Sequence, residues 1–527
     1  MFNNDRCVVL PYKNKTILQS AILALFLVAV HPSAFAADGS SKFALGERRQ
    51  LALQAAKQGQ FDAALPAFAA MVKEAPDDIG IKADYIVILI WAKKNRDALN
   101  FAAGLDLQTI PSYCVNALAK AAREERQLTQ SLAYYDALIS RDPTNLDALL
   151  GKALTLIDAT ELSKAQSLLS ILRQQYPNNP EVYRALSYFG QQAKQPVVII
   201  DANTRLLELN KQDLDAARLD AVKNDNAAQY IAWGQFKQPI SAQRFAETDK
   251  ALAALDEICQ CDWQALDLTS NNQNLLFDRM VALHDRYRMS EVITHYQQLL
   301  NTKVDVPEYV LNAVGGAYLY QRMPEQALQV YDAALLKNPS NVQTKFSKFH
   351  TLIELEKFDA ATKLIDEIAE TQEAYRNRTK NPVIRPEERK LEADSKAFYA
   401  RAYGDDFETA EQGFQSLNDI GPMSADVGMA LGEIWRWRGW PERAEQRFTA
   451  LVADYPDLTL AKIDLANAHL DLRDWRLAES EIKPLAKDYP ENASILALDR
   501  RWMLHNERQL VINGFGAKSS GSTFGGR

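Results

Sequence analysis

VPEYVLNAVGGAYLYQRMPEQALQVYDAALLKNP, residues 306–339, is the stretch that decides the fold. Gly315 lies where two helices can approach each other closely, and Ala327 is small enough for a tight helix crossing. Tyr331 is placed to pack on the next unit. Pro339 ends the second helix, because proline cannot donate a backbone hydrogen bond. The stretch therefore predicts two antiparallel helices that form one structural unit.

The length of this unit recurs along the chain. Pro422, Pro456 and Pro490 follow one another at steps of 34 residues, and Pro143 and Pro177 are separated by the same step. That is the period of the tetratricopeptide repeat, in which helix pairs stack side by side into a solenoid. We therefore expect an all-α superhelical solenoid of about ten helix pairs, followed by at most a single C-terminal strand.

The pattern is not uniform. Proline and small-residue spacings stop recurring between 196 and 274, and Glu370–Lys396 is dense in charge. This charged stretch is expected to be an inserted loop, either simply solvated or used to dock a partner. The predicted order is a signal peptide at 1–36, N-terminal repeats at 37–210, a divergent helical segment at 211–274, central repeats at 275–368, the charged loop at 369–396, C-terminal repeats at 397–508 and a strand-like tail at 509–527.

The first residues have the features of a secretory signal. Arg6, Lys13 and Lys15 are basic, Ala21–Val30 is an unbroken apolar run, and a small-x-small sequence predicts cleavage before Ala37. The run is short for a bilayer span, although a retained N-terminal anchor is the alternative. We expect export to the periplasm, and loss of the signal changes the net charge from −8 to −10.

The charge balance argues against one class of partner. Acidic residues outnumber basic residues 68 to 60, which gives an isoelectric point near 5.5. Binding of DNA or RNA needs clustered positive charge, so no nucleic-acid partner is expected. An acidic solenoid is better suited to a cationic ligand, which it attracts through salt-screened electrostatics.

Motifs for catalysis or cofactor binding are missing. The sequence has no G-x-S-x-G, P-loop, G-x-G-x-x-G or H-E-x-x-H motif, and its six histidines are scattered. Cys259 and Cys261 have no further cysteine or histidine at zinc-ligand spacing, although a disulfide is conceivable in an oxidising compartment. We expect no metal site, no cofactor and no enzymatic activity.

Four short blocks carry a resemblance to a known family. They are HDRY at 284–287, VITHYQ at 292–297, RGWPERAE at 438–445 and DWRLAE at 474–479. With the signal and the divergent repeats, they resemble the outer-membrane export porins for poly-β-1,6-N-acetyl-D-glucosamine, a biofilm polysaccharide of Gram-negative bacteria.

The resemblance implies a machine with two parts. A periplasmic helical-repeat part gathers the partially de-N-acetylated polymer and its deacetylase, and a C-terminal transmembrane β-barrel passes the polymer out. The tail at 509–527 has room for at most one barrel strand. The barrel is therefore expected to be missing from this chain, which would be a fragment, a frameshifted product or a half that works with a separate barrel.

The repeat register places candidate ligand contacts on the inner, concave helices of the central units. Aromatic faces stack on sugar rings, and amides and carboxylates bind hydroxyl and ammonium groups. A glycan or a protein segment could occupy this groove. The residues expected to contact it are Phe277, His284, Asp285, Tyr309, Asn312, Tyr320, His350 and Glu354.

Three functions stay open from the residues alone. The first is a periplasmic scaffold that binds polysaccharide and proteins of the export system and guides the polymer to an outer-membrane pore. The second is a general periplasmic protein–protein interaction scaffold with no part in glycan export. The third is a glycan-processing enzyme with two opposed carboxylates, but no pair of acids stands out for that role. The resemblance favours the first.

Overall fold

A computed structural model describes residues 42–209, 216–236, 241–259, 270–373, 375–378, 381–386 and 388–508. The chain divides into two compact units. The N-terminal unit contains the described residues up to Trp233 and also Ala253–Ile258, and the C-terminal unit contains those of Gly234–Leu252 and those from Cys259 onward. The expected signal peptide and C-terminal strand lie outside the described residues.

The described part of the N-terminal unit consists of helices joined by short turns. The helices are α1 (Lys42–Lys57), α2 (Phe61–Glu74), α3 (Ile79–Trp91), α4 (Asn95–Ala102), α5 (Ser112–Glu124), α6 (Leu128–Arg141), α7 (Leu146–Asp158), α8 (Leu162–Gln175), α9 (Pro180–Ala193), α10 (Pro196–Leu209) and α11 (Ala216–Gly234). Helix α12 (Ala246–Cys259) follows a short 3-10 turn at Ser241–Gln243 and is divided between the two units.

The C-terminal unit continues the same architecture. Its helices are α13 (Ser270–Asp285), α14 (Met289–Leu300), α15 (Glu308–Tyr320), α16 (Pro324–Lys337), α17 (Val342–Glu354), α18 (Phe358–Thr371), α19 (Glu388–Tyr403), α20 (Phe407–Ile420), α21 (Ala425–Trp437), α22 (Pro441–Asp454), α23 (Thr459–Leu472), α24 (Trp475–Asp488) and α25 (Ala493–Asn506). Two strands, β1 (Tyr375–Arg378) and β2 (Asn381–Pro386), lie between α18 and α19 and pair antiparallel.

Consecutive helices pack as pairs, and the first helices of neighbouring pairs also contact one another. The described residues give eleven such pairs, from α1–α2 to α9–α10 and from α13–α14 to α23–α24, with α25 packed on α23 and α24. In the C-terminal unit, α13 contacts α15, α15 contacts α17, α19 contacts α21, and α21 contacts α23. We call the surface formed by these first helices the first-helix face. The predicted all-α repeat solenoid is confirmed, with slightly more pairs than expected.

Several of the turns that follow a helix pair combine a proline with a helix cap. In the turn from Pro143 to Asn145, the Asn145 side chain accepts a hydrogen bond from the backbone N–H of Ala148. Such a cap satisfies an amide that has no partner within the helix. Five more turns have a capping Asn, Asp or Ser two residues after proline, at Asp78, Asn179, Asn341, Ser424 and Asn492.

The turn inside each pair uses one residue in the left-handed backbone region. Gly59 and Gly439 occupy this position with φ of 79° and 80°. A left-handed residue after a helix closes its last turn and redirects the chain. The other pairs place a residue with a side chain there: Lys93, Arg126, Thr160, Lys194, Tyr287, Arg322, Glu356, Asp405 and Arg473.

Glycine creates the close helix crossing that the sequence predicts. A Cβ on Gly315 would lie 2.5 Å from Cζ of Tyr331, whose ring therefore rests directly on the α15 backbone. Gly432 and Phe448 repeat the arrangement three helix pairs later, again at 2.5 Å. Both rings are buried. The aromatic side chain of the second helix thus fills the space that the absent side chain of the first helix leaves.

Part of the stretch expected to be a charged loop is helical. The β1–β2 hairpin occupies the middle of that stretch, but α19 begins at Glu388 and so includes residues predicted to lie in the loop. Lys390 and Asp394 form an i,i+4 ion pair at 2.7 Å, and Ala393 is fully buried. A charged sequence can form a helix when one narrow face is apolar, and the loop prediction overlooked this face.

Candidate functional site

The predicted groove residues lie on α13, α15 and α17, but one of them is not at a surface. Phe277 is 1% exposed and belongs to the core. Helix α13 packs on both α14 and α15, and burying a large aromatic side chain in such an interface is worth about 1.5–3 kcal/mol. The expectation that Phe277 points into the groove is wrong, because its side chain packs in the core and is not accessible to a ligand.

Tyr309 and Asn312 lie in polar networks between neighbouring first helices. The Tyr309 hydroxyl donates to Asp278 Oδ1 at 3.0 Å. Asn312 donates to the Glu308 carboxylate, and Thr344 Oγ1 lies 2.9 Å from Glu308 Oε1 and 3.0 Å from Asn312 Oδ1. Both predicted residues therefore hold α15 against α13 and α17. A ligand at this position would compete with these contacts.

His284 and Asp285 lie together at the end of α13. His284 Nδ1 is 3.0 Å from Asp285 Oδ1, and Gln235 Nε2 donates to Asp285 Oδ2 at 3.2 Å. The imidazole also rests on Gly316, where a Cβ would approach Nε2 to 2.5 Å. Both side chains keep partial exposure. Of the predicted residues, this pair offers a carboxylate next to a titratable ring.

Tyr320 takes part in a contact between distant parts of the C-terminal unit. Its hydroxyl donates to the backbone carbonyl of Glu491 at 2.9 Å, and its ring packs edge-on against Tyr287. Arg244 Nε and Nη2 donate to the two oxygens of the Glu491 carboxylate at 2.6 and 2.7 Å. The Arg244 guanidinium also lies 5.1 Å from the Tyr489 ring centre.

This contact closes the run of repeats upon itself, and we call it the Arg244–Glu491 closure. Residues 247 positions apart meet there, and neither side chain is more than a quarter exposed. Burial alone would raise the pKa of Glu491, but the hydrogen bonds and charge of Arg244 outweigh it and lower that pKa. A bidentate pair between an arginine and a carboxylate is among the stronger polar contacts in proteins.

His350 and Glu354 lie one turn apart on α17, and both remain exposed. Lys396 Nζ is 3.1 Å from His350 Nε2, and Arg322 reaches Glu354 at 3.4 Å. Crowding of the ring by the surrounding chain and the positive charge of Lys396 lower the pKa of His350, so its neutral form accepts this hydrogen bond. Of the eight predicted residues, Glu354 is the carboxylate most open to a ligand.

The sequence analysis missed a second group of residues on the first-helix face, formed by α19, α21 and α23. The Tyr399 hydroxyl donates to Glu433 Oε2 at 2.5 Å. Tyr403 lies nearly parallel to Tyr399 with ring centres 6.4 Å apart, and its ring centre is 5.5 Å from that of Trp437. We call this group, together with the buried Asp464, the Glu433–Asp464 cluster.

The two carboxyl groups of this cluster interact directly, and both have raised pKa values. Asp464 is 6% exposed, and its Oδ2 atom is buried without a hydrogen-bond partner. Glu433 is half-buried. Burial and then the charge of Asp464 raise the pKa of Glu433, and burial raises that of Asp464. Removal of water penalises the charged form of an acid.

A periodic signal could have revealed this cluster. Glu433 lies 34 residues after Tyr399, and Trp437 lies 34 residues after Tyr403, so each pair occupies equivalent positions in successive repeats. Arg501 and Asn467 are related by the same step, and Arg501 Nη1 donates to Asn467 Oδ1 at 2.9 Å. Extending the first-helix positions through the C-terminal repeats would have brought these residues together.

The described residues offer no evident site for a metal ion. Among them, no group of three or more His, Cys, Asp or Glu side chains is arranged to bind one. Cys114 is a buried free thiol, and burial raises its pKa to about 12. Cys259 is disulfide-bonded. Within the described ranges, no helix has both the length and the apolar character of a membrane span.

The comparison with family models agrees with the repeat architecture. The family model for the tetratricopeptide repeat matches residues 55–119 and 122–187. A solved tetratricopeptide repeat protein from Parabacteroides merdae is 12% identical, with a TM-score of 0.32, over 58% of this chain and 98% of that one.

Two curated relatives match along most of the chain. The poly-β-1,6-N-acetyl-D-glucosamine export proteins of Escherichia coli strain K12 and of Escherichia coli O157:H7 are each 24% identical over 504 residues. The match covers 91% of this chain and 62% of each relative, so the chain spans less than two thirds of their length. The chain thus contains tetratricopeptide repeats within residues 55–187 and resembles the poly-β-1,6-N-acetyl-D-glucosamine export proteins over 91% of its own length.

Proposed function

We propose that this protein is a non-enzymatic scaffold of a poly-β-1,6-N-acetylglucosamine export system. The observation that carries the proposal is the similarity to the two export proteins, which extends over 91% of the chain rather than over isolated repeats. Stacked helix pairs provide long surfaces that hold extended partners. In this proposal the protein is exported to the periplasm and acts next to the outer membrane.

The ligand we propose is the partially de-N-acetylated polymer. Each deacetylated sugar carries an ammonium group when protonated, and the chain has a net charge of −8. Long-range attraction between such partners raises the rate of association and is screened by salt. Aromatic rings and carboxylates lie together on the first-helix face of the C-terminal unit, and these groups suit sugar rings that carry a charge.

The protein partners we propose are the polysaccharide deacetylase and an outer-membrane barrel. The scaffold would receive polymer from the first and pass it to the second. Seven of the predicted residues remain proposed contacts for the polymer or for a segment of the deacetylase: His284, Asp285, Tyr309, Asn312, Tyr320, His350 and Glu354. Exposed Glu354 is the best placed for direct contact.

The test is calorimetric titration of the purified protein with β-1,6-linked glucosamine oligomers. We expect the unacetylated oligomer to bind, the fully acetylated oligomer to bind much more weakly, and added NaCl to weaken the first interaction. Binding of a deacetylase but of neither oligomer would favour the general protein–protein scaffold. Shortening of the oligomer on incubation would instead indicate an enzyme.

A matched pair of variants tests where the polymer lies. Glu354→Gln removes an exposed acid from first helix α17, and Glu325→Gln removes an exposed acid from second helix α16. If the first-helix face binds the polymer, only Glu354→Gln weakens binding. An equal loss in both variants would mean that net charge, and not this face, determines the affinity.

A further inference from the structure

The Glu433–Asp464 cluster contains one more acid than base. The positive charge that acts on both carboxyl groups is that of Arg436, which also lies 3.3 Å from Asp471. The two clustered carboxyl groups thus face one guanidinium group, which Asp471 shares. An uncompensated buried charge is costly, so the group needs one further positive charge or one bound proton.

One oxygen of this group has no hydrogen-bond partner. Asp464 Oδ2 is buried without a hydrogen-bond partner, and Asp464 as a residue is only 6% exposed. Leaving such an acceptor unpaired costs about 1–3 kcal/mol, and more when the group is charged. A ligand with a hydrogen-bond donor and a positive charge would satisfy both the unpaired oxygen and the charge deficit.

Aromatic rings border the same carboxyl groups. Tyr399 joins the two features, because its hydroxyl binds Glu433 while its ring centre is 6.0 Å from that of Trp437. Tyr403, at 37% exposure, leaves part of this aromatic surface open to solvent. An apolar ring face next to an acid is the arrangement that a charged amino sugar requires.

We propose that the Glu433–Asp464 cluster is a binding subsite for a single ammonium-bearing sugar ring. The ammonium group of the sugar would donate to Glu433 and to Asp464 Oδ2, and the face of the ring would pack on Tyr403 and Trp437. This inference rests on the proposed function and deepens it, because it identifies where a de-N-acetylated unit of the polymer is distinguished from an acetylated one.

The subsite exchanges a proton for the bound cation. Without ligand, the carboxyl pair retains a proton at pH values above the ordinary pKa range of carboxylic acids. Burial and mutual repulsion disfavour two negative charges there. An arriving ammonium group stabilises the charged form and so releases that proton. Tyr399, which donates to Glu433, does not supply it, since its pKa is raised well above its usual value.

The experiment compares the purified full protein with Glu433→Gln and Asp464→Asn. A fully de-N-acetylated β-1,6-glucosamine hexamer is titrated at pH 6 in two buffers of different ionisation enthalpy, which gives the number of protons released. We expect the wild type to release up to one proton more than either variant, and we expect each variant to bind at least tenfold more weakly. Glu408→Gln, an exposed acid on second helix α20, is the control and should behave as wild type.

Each outcome decides between the claims. If the wild type binds the hexamer but both variants bind equally well with equal proton release, the subsite is refuted and the proposed function stands. If the wild type binds no oligomer, the proposed function fails as well. The substitutions preserve side-chain shape, and a cooperative melting transition above the titration temperature in each variant separates loss of binding from loss of folding.

Discussion

Replacing Gly315 with alanine should destabilise the C-terminal unit through a collision with Tyr331. The new Cβ would lie 2.5 Å from Cζ and 2.6 Å from Cε1 of the ring, whereas ordinary contact begins at 3.4 Å. Tyr331 is 2% exposed, so its ring must displace buried neighbours to move away from the new Cβ. Overpacking of this kind costs about 1–3 kcal/mol, while the higher helix propensity of alanine returns about 1 kcal/mol.

The stabilisation that alanine provides through its higher helix propensity can be measured separately at Gly46. This glycine lies within α1, is exposed, and has nothing within 4 Å of its missing Cβ. Gly46→Ala should therefore stabilise the N-terminal unit by up to about 1 kcal/mol. The difference between the two substitutions isolates the steric cost at Gly315, which we expect to be about 1–3 kcal/mol.

Differential scanning calorimetry, read in the transition of each unit, is the assay. A double-mutant cycle adds Tyr331→Leu, which shortens the side chain that Gly315→Ala would strike. In that background the cost of Gly315→Ala should largely vanish, giving a coupling energy of about 1–2 kcal/mol. Strictly additive effects of the two substitutions would refute the proposed collision, and with it our explanation of glycine at the helix crossing.

Two further predictions concern charged groups of the C-terminal unit. Arg244→Gln should lower the free energy of unfolding by about 1–3 kcal/mol near pH 7, because it leaves the partly buried Glu491 without its partner. This loss should shrink as pH falls through the lowered pKa of Glu491, because the protonated carboxyl group no longer needs Arg244; a loss independent of pH would contradict the ion pair. The raised pKa of Glu433 means that the folded state holds a proton that the unfolded state releases. The stability of the fold is therefore highest below the ordinary pKa of glutamate, and it falls as pH rises from there through the raised pKa. Calorimetry from pH 5 to pH 8 should show this fall in the wild type, at about 1.4 kcal/mol per unit of pKa shift, and a flatter profile in Glu433→Gln.

Local repeat chemistry made most of the fold predictable. Gly315 and the recurring prolines lie at fixed spacings, because each repeat solves the same packing problem with neighbours at constant sequence separation. The same periodicity could have located Glu433, whose contact with Tyr399 joins equivalent positions of adjacent repeats. The sequence prediction did not include this cluster, because its candidate contacts were confined to the central units.

Other features could not be predicted from spacing alone. Phe277 has the aromatic character of a sugar-binding residue, but only the packing of α13 on two neighbours decides that it is buried. Arg244 contacts Glu491 because small rotations from each repeat to the next add up over many repeats. The sequence of a single repeat does not predict this total rotation. The first turns of α19 are rich in charged residues, so the sequence did not indicate a helix there. A few small apolar residues are nevertheless enough to bury one face of this helix.

The Arg244–Glu491 closure changes how local unfolding spreads through the C-terminal unit. An open repeat array behaves as a one-dimensional chain, in which the final repeat has one neighbour and frays first. Here the turn before α25 is tied both to the segment before α12 and to Tyr320 on α15. Loosening at that turn therefore reaches α15 directly, without passing through the repeats in between. Fraying from this end becomes a cooperative event, because it must break contacts at two distant places in the array.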